Sequence, residues 1–470
     1  MYRLLILATA MRLVAPTQSL AQDTRRSGPR PPTPTPDSAL VSEIAELLRV
    51  TARVPGFSIA AMRRGEVAFA AGFGARNITS GAPVDTSTQF GAASVSKVIT
   101  ATAALRLYQR GALDLDLPVR RLIPSFPDQT DGITPRRLAA HLSGLPHYGP
   151  GSMASTAKFE EALGALEVFS RAPRVGAPGE RSEYSTHGIT LLSAIMEASV
   201  KRPFLSILDT EVLAPLDMPS TGPMRKERPT SALSSQHEFE GGKPTLLSSH
   251  REMSYGWAGA GLRTTPADLV RMSRAYFNGF IADSIVRLAF TEQRTNDGTA
   301  TGVGLIWRVG NDWLGRPIAH HAGVNDGARG ILMLFLRDSS SIALQANIRW
   351  VSSMESTAMV FAEALFGSDR RRHTVAVSGA YRGTFAGEPA TGTWRIVGDT
   401  GSISTPEGFG RLLDRDGMRV ERLPVRAIRD GVYALVTPWG LYPLRIDSRD
   451  GRVTGDVAVS SRAWHLVSVP

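Results

Sequence analysis

Apolar residues recur at helical spacing at Leu40, Ile44, Leu47 and Leu48, directly after Asp37 and Ser38, either of which can cap a helix N-terminus. The pattern then becomes extended: Phe57 to Arg63 and Val67 to Gly74, joined by Arg64-Gly65, read as two strands of a hairpin. Val98 to Leu107 is nearly continuous apolar sequence of helical length, and it stops near Gly111, which predicts a buried helix. Helical patterns interrupted by Pro and Gly follow at about Lys158 to Ser170 and at Gly188 to Val200. Ile331 to Leu336 and Ser341 to Asn347 predict two adjacent core strands, with a helix over about Met354 to Phe366 after them. Strands towards both ends with helices between predict an α+β fold, an antiparallel sheet whose first and last strands meet, flanked by helices and a helical lobe.

From Val375 the texture changes to short alternating runs split by Gly, Asp and Pro, such as Thr393 to Val397, Gly431 to Val436 and Leu441 to Ile446. A spacing of about ten residues per strand predicts a small all-β barrel or sandwich. The chain therefore divides into a domain over 37–369 and a separable one over 374–470, with Arg370-Arg371-Arg372 at the junction. At the other end, Arg3 precedes the apolar run Leu4 to Met11, and Ser19-Leu20-Ala21 closes on a small-x-small pattern. Residues 1–21 thus read as a signal peptide for export to the periplasm or beyond. Arg12 and the absence of acids before Asp23 leave mitochondrial targeting as the alternative. Residues 22–36, rich in Pro, Thr and Arg, read as a disordered linker.

Composition narrows the function classes. The 470 residues, 42% of them hydrophobic, suit an enzyme with a substantial core, and no apolar run of about 18 residues predicts a membrane span. The net charge of +10 comes almost wholly from arginine, since there are five lysines, and it is scattered without a basic and aromatic groove, so no nucleic-acid partner is expected. The absence of cysteine excludes disulfides, thiolate metal sites and a cysteine nucleophile. Histidines 141, 147, 187, 237, 250, 373 and 465 show no metal-ligand spacing and read as structural, so neither metal nor cofactor is expected. No Gly-x-Ser-x-Gly elbow is present, which disfavours an α/β-hydrolase.

The chemistry-bearing pattern is Ser94-Val95-Ser96-Lys97. A serine and a lysine three apart on a helix share a face, so the amine can take the hydroxyl proton and make a nucleophile without histidine. In the first helical turn Ser94 would also meet unpaired backbone N–H groups and the positive end of the helix dipole. The same pattern recurs at Ser155 to Lys158, in a stretch rich in Gly, Ser and Thr that reads as a loop or helix start. For Lys97 to act as a base at pH 7, its pKa must fall from about 10.4 to near neutrality through burial or nearby cations.

Several further motifs occur in order: Pro55-Gly56-Phe57-Ser58-Ile59 with Gly72-Phe73-Gly74, Phe90 to Lys97, His141-Leu142-Ser143-Gly144-Leu145-Pro146, Pro178-Gly179-Glu180, Tyr184-Ser185-Thr186, Gly259-Ala260-Gly261-Leu262 and His321-Ala322-Gly323. Together they resemble the serine β-lactamase-related hydrolases, which include class C β-lactamases, D-alanyl-D-alanine carboxypeptidases and esterases. Within that family, His141 to Tyr148 and Tyr184-Ser185-Thr186-His187-Gly188 are similar to the mitochondrial serine β-lactamase-like proteins and their bacterial relatives. The resemblance implies a cleft between sheet and helical lobe, with Ser94 as nucleophile, Lys97 and Tyr184 as coupled proton-transfer groups, and His321 as a further catalytic residue. It also implies that Thr186, Gly323 and Val324 bind substrate, the Val324 N–H joining that of Ser94 in an oxyanion hole. His321 stands where a lysine is usual, and Thr186 where an asparagine is usual, so recognition of penicillin-like carboxylates and acylamides should weaken. Three functions stay open: a serine hydrolase of esters, amides or peptides, a true β-lactamase or carboxypeptidase, and a catalytically weak binding or scaffolding protein. The expected substrate is a small molecule or peptide.

Overall fold

The computed structural model describes residues 37–127, 132–149, 155–225, 230–248, 251–349, 353–367, 375–385, 388–404, 420–449, 452–457 and 464–469. The signal peptide and linker, the arginine run at 370–372, and His250 and His373 lie outside them.

Helix α1 (Ser38–Thr51) starts where Asp37 accepts a hydrogen bond from the Leu40 N–H, and it buries Leu40, Val41, Ile44, Ala45 and Leu48. Strands β1 (Gly56–Arg63) and β2 (Glu66–Gly74) form the expected hairpin. Its turn residues Arg64 and Gly65 both have positive φ, 53° and 85°, the geometry that suits the twist of a two-residue hairpin. Further elements along the chain are α2 (Ser96–Gln109), α3 (Thr186–Val200), α4 (Pro266–Ser273), β3 (Arg308–Asn311), β4 (Pro317–Asn325), β5 (Ala328–Phe335), β6 (Ser340–Ala346) and α5 (Met354–Phe366).

The main sheet runs β2-β1-β6-β5-β4-β3, entirely antiparallel, and its first and last long strands do meet: β1 pairs with β6 from Phe57 opposite Ala346 to Arg63 opposite Ser340. Alternation along the strands divides two cores. Ile331, Met333, Phe335, Ile342 and Leu344 face α1 and α5, whereas Leu332, Leu334 and Ala343 face the side of α2 and α4. The predicted helix at Lys158 to Ser170 is shorter than its pattern suggested. It consists of one turn, Ala162–Ala165, running into a 3₁₀ turn, Leu166–Val168. That turn begins on a tertiary cap, because the buried Glu197 carboxylate of α3 accepts from both Ala162 N and Leu163 N.

Among the described residues the C-terminal region is a closed barrel of eight strands, which resolves the barrel-or-sandwich alternative: β7 (Ala376–Phe385), β8 (Glu388–Val397), β9 (Thr400–Ser404), β10 (Arg422–Arg429), β11 (Val432–Thr437), β12 (Gly440–Arg449), β13 (Arg452–Val457) and β14 (Trp464–Ser468). Closure comes from β7 pairing with both β8 and β14. Tyr381, Trp394, Tyr433 and Leu435 belong to its own core. Ile428, Val432, Ala434, Val436 and Leu441 instead join the apolar cluster of α1 and α5, so barrel and sheet share one core. Arg426 to Glu43 (2.7 Å) and Arg429 to Glu363 (2.6 Å) flank that contact.

Candidate active site

Ser94 lies in a 3₁₀ turn, Ala93–Val95, one step before α2 rather than in its first turn. The turn is a strand-to-helix elbow: Phe90-Gly91 pairs with Thr264 and Arg263, Ala92 N–H donates to Leu262 O (2.7 Å), and Ala93 takes a φ of 47°. Such a left-handed conformation in a residue with a Cβ is held only by surrounding structure. Here the tie on the far side is the Leu262 N–H, which donates to Ser96 Oγ (3.2 Å).

Lys97 is fully buried, and its Nζ reaches Gly259 O (2.7 Å), Thr186 Oγ1 (3.0 Å) and Ser94 Oγ (3.2 Å). These three partners are neutral oxygens, and the Tyr184 side chain is a further hydrogen-bond partner. Burial lowers its pKa, with Arg308 acting in the same direction and Tyr184 against it. Gly259 is required for this packing, since a Cβ there would stand 2.4 Å from Thr186 Cγ2. The second Ser-x-x-Lys differs on every count: Ser155 to Lys158 is irregular and Lys158 is exposed.

Tyr184 lies at the centre of the remaining groups. Its ring centroid is 4.8 Å from Lys97 Nζ, 5.9 Å from the Arg308 guanidinium carbon, and 4.6, 5.3 and 6.2 Å from the rings of His141, His147 and His321. His321 is buried, and its Nδ1 lies 2.7 Å from Ala322 O, so Nδ1 carries the proton and Nε2 the lone pair. Nε2 is itself buried without a protein partner. Burial, Lys97 and Arg308 hold the His321 pKa well below its ordinary value, which keeps the ring neutral.

Gly323 brings β4 against the turn that carries Ser94. A Cβ there would lie 2.8 Å from Ala92 O, 2.9 Å from Ser94 N and 3.0 Å from Val95 N. Val324, the next residue, is 44% exposed on the open side. All seven residues singled out in the sequence therefore converge: Ser94, Lys97, Tyr184 and Thr186 by contacts, His321, Gly323 and Val324 along one strand.

Three further side chains surround Tyr184 that the sequence did not place there. Arg308 is exposed on the edge strand β3, opposite His320 of β4, and nothing in the sequence separates it from the other arginines. His141 and His147, expected to be structural, lie against Tyr184. Their signal was the short interval around Gly144, whose φ of 71° folds the loop back. Among the described residues no cluster of metal-binding side chains occurs.

The Beta-lactamase family model matches residues 39–360. The mitochondrial serine beta-lactamase-like protein LACTB of Homo sapiens is 24% identical over 295 residues, 48% of this chain and 54% of that protein. Esterase EstB of Burkholderia gladioli is 32% identical over 186 residues, 36% of this chain and 47% of that one. This chain thus spans about half the length of each. The octameric penicillin-binding protein homologue from Pyrococcus abyssi superposes with a TM-score of 0.61 at 19% identity, covering 92% of this chain and all of that one.

Proposed function

The chain belongs to the beta-lactamase family, and from that premise we propose that it is a serine hydrolase acting on esters, amides or peptides through an acyl-enzyme at Ser94. The observation that carries this reading is the buried Lys97 amine, held within hydrogen-bond reach of Ser94, Thr186, Gly259 and Tyr184 with no carboxylate among its partners. A neutral amine has two N–H groups and one lone pair; with Gly259 O and Thr186 Oγ1 accepting the two protons, the lone pair is left for the hydroxyls of Ser94 and Tyr184. Ser94 Oγ then attacks the carbonyl carbon as its proton passes to the Lys97 and Tyr184 pair. The Ser94 and Val324 N–H groups receive the oxyanion, and the proton is returned to the leaving group as its bond breaks. Water repeats the sequence on the acyl-enzyme and frees Ser94.

Neutral His321 and the single hydroxyl of Thr186 favour simple esters over penicillins and cephalosporins, in keeping with a relative named as an esterase. Arg308, exposed on β3 with its guanidinium carbon 5.9 Å from the Tyr184 ring, offers a cation to a substrate carboxylate. The N-terminal pattern supports export, and no helix among the described residues is long and apolar enough to cross a membrane.

A fluorophosphonate probe followed by peptide mapping tests the assignment: the adduct is expected on Ser94 and absent from Ser94→Ala. Labelling at Ser155, or undiminished labelling of the alanine variant, overturns it. Steady-state rates with p-nitrophenyl esters and nitrocefin test the substrate class, and a larger kcat/KM for nitrocefin would reverse the preference.

A further inference from the structure

Tyr184 sits at the entrance of α3, on a short segment whose backbone is held almost entirely by the loop from His141 to His147. Glu183 N–H donates to His141 O (2.8 Å), Ser185 N–H to His141 Nδ1 (3.3 Å) and Thr186 N–H to His147 Nδ1 (3.2 Å). Ser185 Oγ adds a bond to Pro146 O (2.7 Å) and also accepts from Gly188 N (2.9 Å) as the N-cap. Thr186, the first residue of α3, has an N–H with no acceptor inside the helix, so the imidazole supplies one. His141 itself has a φ of 58°, a left-handed conformation that His, Asn and Asp tolerate better than other residues with a Cβ, and its ring lies back across Tyr184.

We propose that His141 and His147 are positioning residues for Tyr184, their unprotonated Nδ1 atoms fixing the register of Glu183 to Thr186 against Lys97. The proposal rests on Tyr184 and Lys97 being the proton-transfer pair. In this arrangement each neutral ring carries its proton on Nε2. An imidazolium would lose the acceptor and add a positive charge at the positive end of the α3 dipole. The groups around His141 are Tyr184, His147, His321, Lys97 and Arg308; those around His147 are Tyr148, Tyr184, His141, His187 and Lys97. None is a carboxylate that would favour the charged ring. Burial of the His141 ring and the partial enclosure of the His147 ring, each with Lys97 nearby, lower the pKa of both histidines, that of His147 to about 4.

Asparagine offers an oxygen close to the Nδ1 position and tolerates positive φ, whereas leucine keeps bulk without an acceptor. In the full chain, His147→Leu and His141→Leu are expected to lower kcat for a p-nitrophenyl ester by about 100-fold, with KM within about 2-fold, because a small misplacement of a catalytic group costs that much. His147→Asn and His141→Asn should recover most of that loss, with Ser94 still labelled by the fluorophosphonate in every folded variant. His147 reaches solvent on one side although its ring packs on Tyr148 and Tyr184, so its leucine variant keeps the test decisive if His141→Leu, at the more deeply buried position, fails to fold. Wild-type kcat in His147→Leu, or no gain from leucine to asparagine, would overturn the positioning role while Ser94 labelling leaves the active-site reading intact. Failure of the wild-type chain to label at Ser94 would overturn the active-site reading and the bracket with it.

Discussion

Lys97 shows what one residue can reveal from sequence and what it cannot. The pairing with Ser94 is local, three positions apart, so it was legible before any tertiary contact was known, even though the turn containing Ser94 is 3₁₀ and not α-helical. Burial of its amine and the identity of Thr186 and Gly259 as partners depend on chain segments far away in sequence, and so does Arg308, which reaches Tyr184 only because β3 pairs with β4. A buried lysine with a lowered pKa has a measurable consequence. Between that lowered value and 10.5 the unfolded chain binds more protons at this position than the folded one, so the lysine's penalty on stability is full at lower pH and shrinks as pH rises. Lys97→Met, of similar length and always neutral, lacks this dependence. The melting temperature of Lys97→Met minus that of the wild type is expected to fall steadily as pH rises towards 10.5, alongside loss of esterase activity. A difference that does not change with pH would mean that Lys97 keeps an ordinary pKa.

At the level of elements, the approach of β4 to the elbow before α2 fixes the distance between Gly323 and the Ser94 backbone, where the proposed oxyanion site lies. In the sequence, the resemblance implies that Gly323 and Val324 meet substrate but Ser94 is expected in a first helical turn rather than an elbow, and the separation of strand and elbow is set by a missing side chain. Gly323 does not have a positive φ, so alanine is allowed by its backbone and only sterics oppose it. The added methyl would stand within 3.0 Å of Ala92 O, Ser94 N and Val95 N, all backbone atoms that cannot swing aside, so strand and elbow must part. Because losing one oxyanion donor costs about 100 to 1000-fold, Gly323→Ala should lower kcat/KM for esters by a factor in that range, while far-ultraviolet circular dichroism stays unchanged. Wild-type kcat/KM in this variant would remove β4 from the oxyanion site. The short helix at 162–165 marks the limit of such reading: its length is set by the Glu197 carboxylate arriving from α3, which no local pattern announces.

For the molecule as a whole, the change of texture at Val375 correctly announced a β region, and its independence was the natural expectation from strand spacing alone. Strand β11 carries the contrary signal. All six residues from Val432 to Thr437 are buried, Tyr433 and Leu435 into the barrel and Val432, Ala434 and Val436 against α1 and α5. An unbroken apolar strand in a small barrel is the mark of burial on both faces. The barrel also grips the tip of the hairpin β3–β4, where the Trp313 ring lies 4.7 Å from the Arg445 guanidinium carbon and 5.8 Å from that of Arg429. The same hairpin carries Arg308, His321 and Gly323, so the barrel supports both the core and the sheet edge beside Ser94. Ending the chain at Gly367 would therefore uncover the outward faces of α1 and α5, at about 1.5 to 3 kcal/mol for each large apolar side chain returned to water. The truncated chain is expected to melt at lower temperature than the full chain, to bind a hydrophobic dye, and to react more slowly with the fluorophosphonate at Ser94. A truncated chain with the full chain's melting temperature and labelling rate would instead make the barrel an independent domain, and the shared core a contact of little energetic weight.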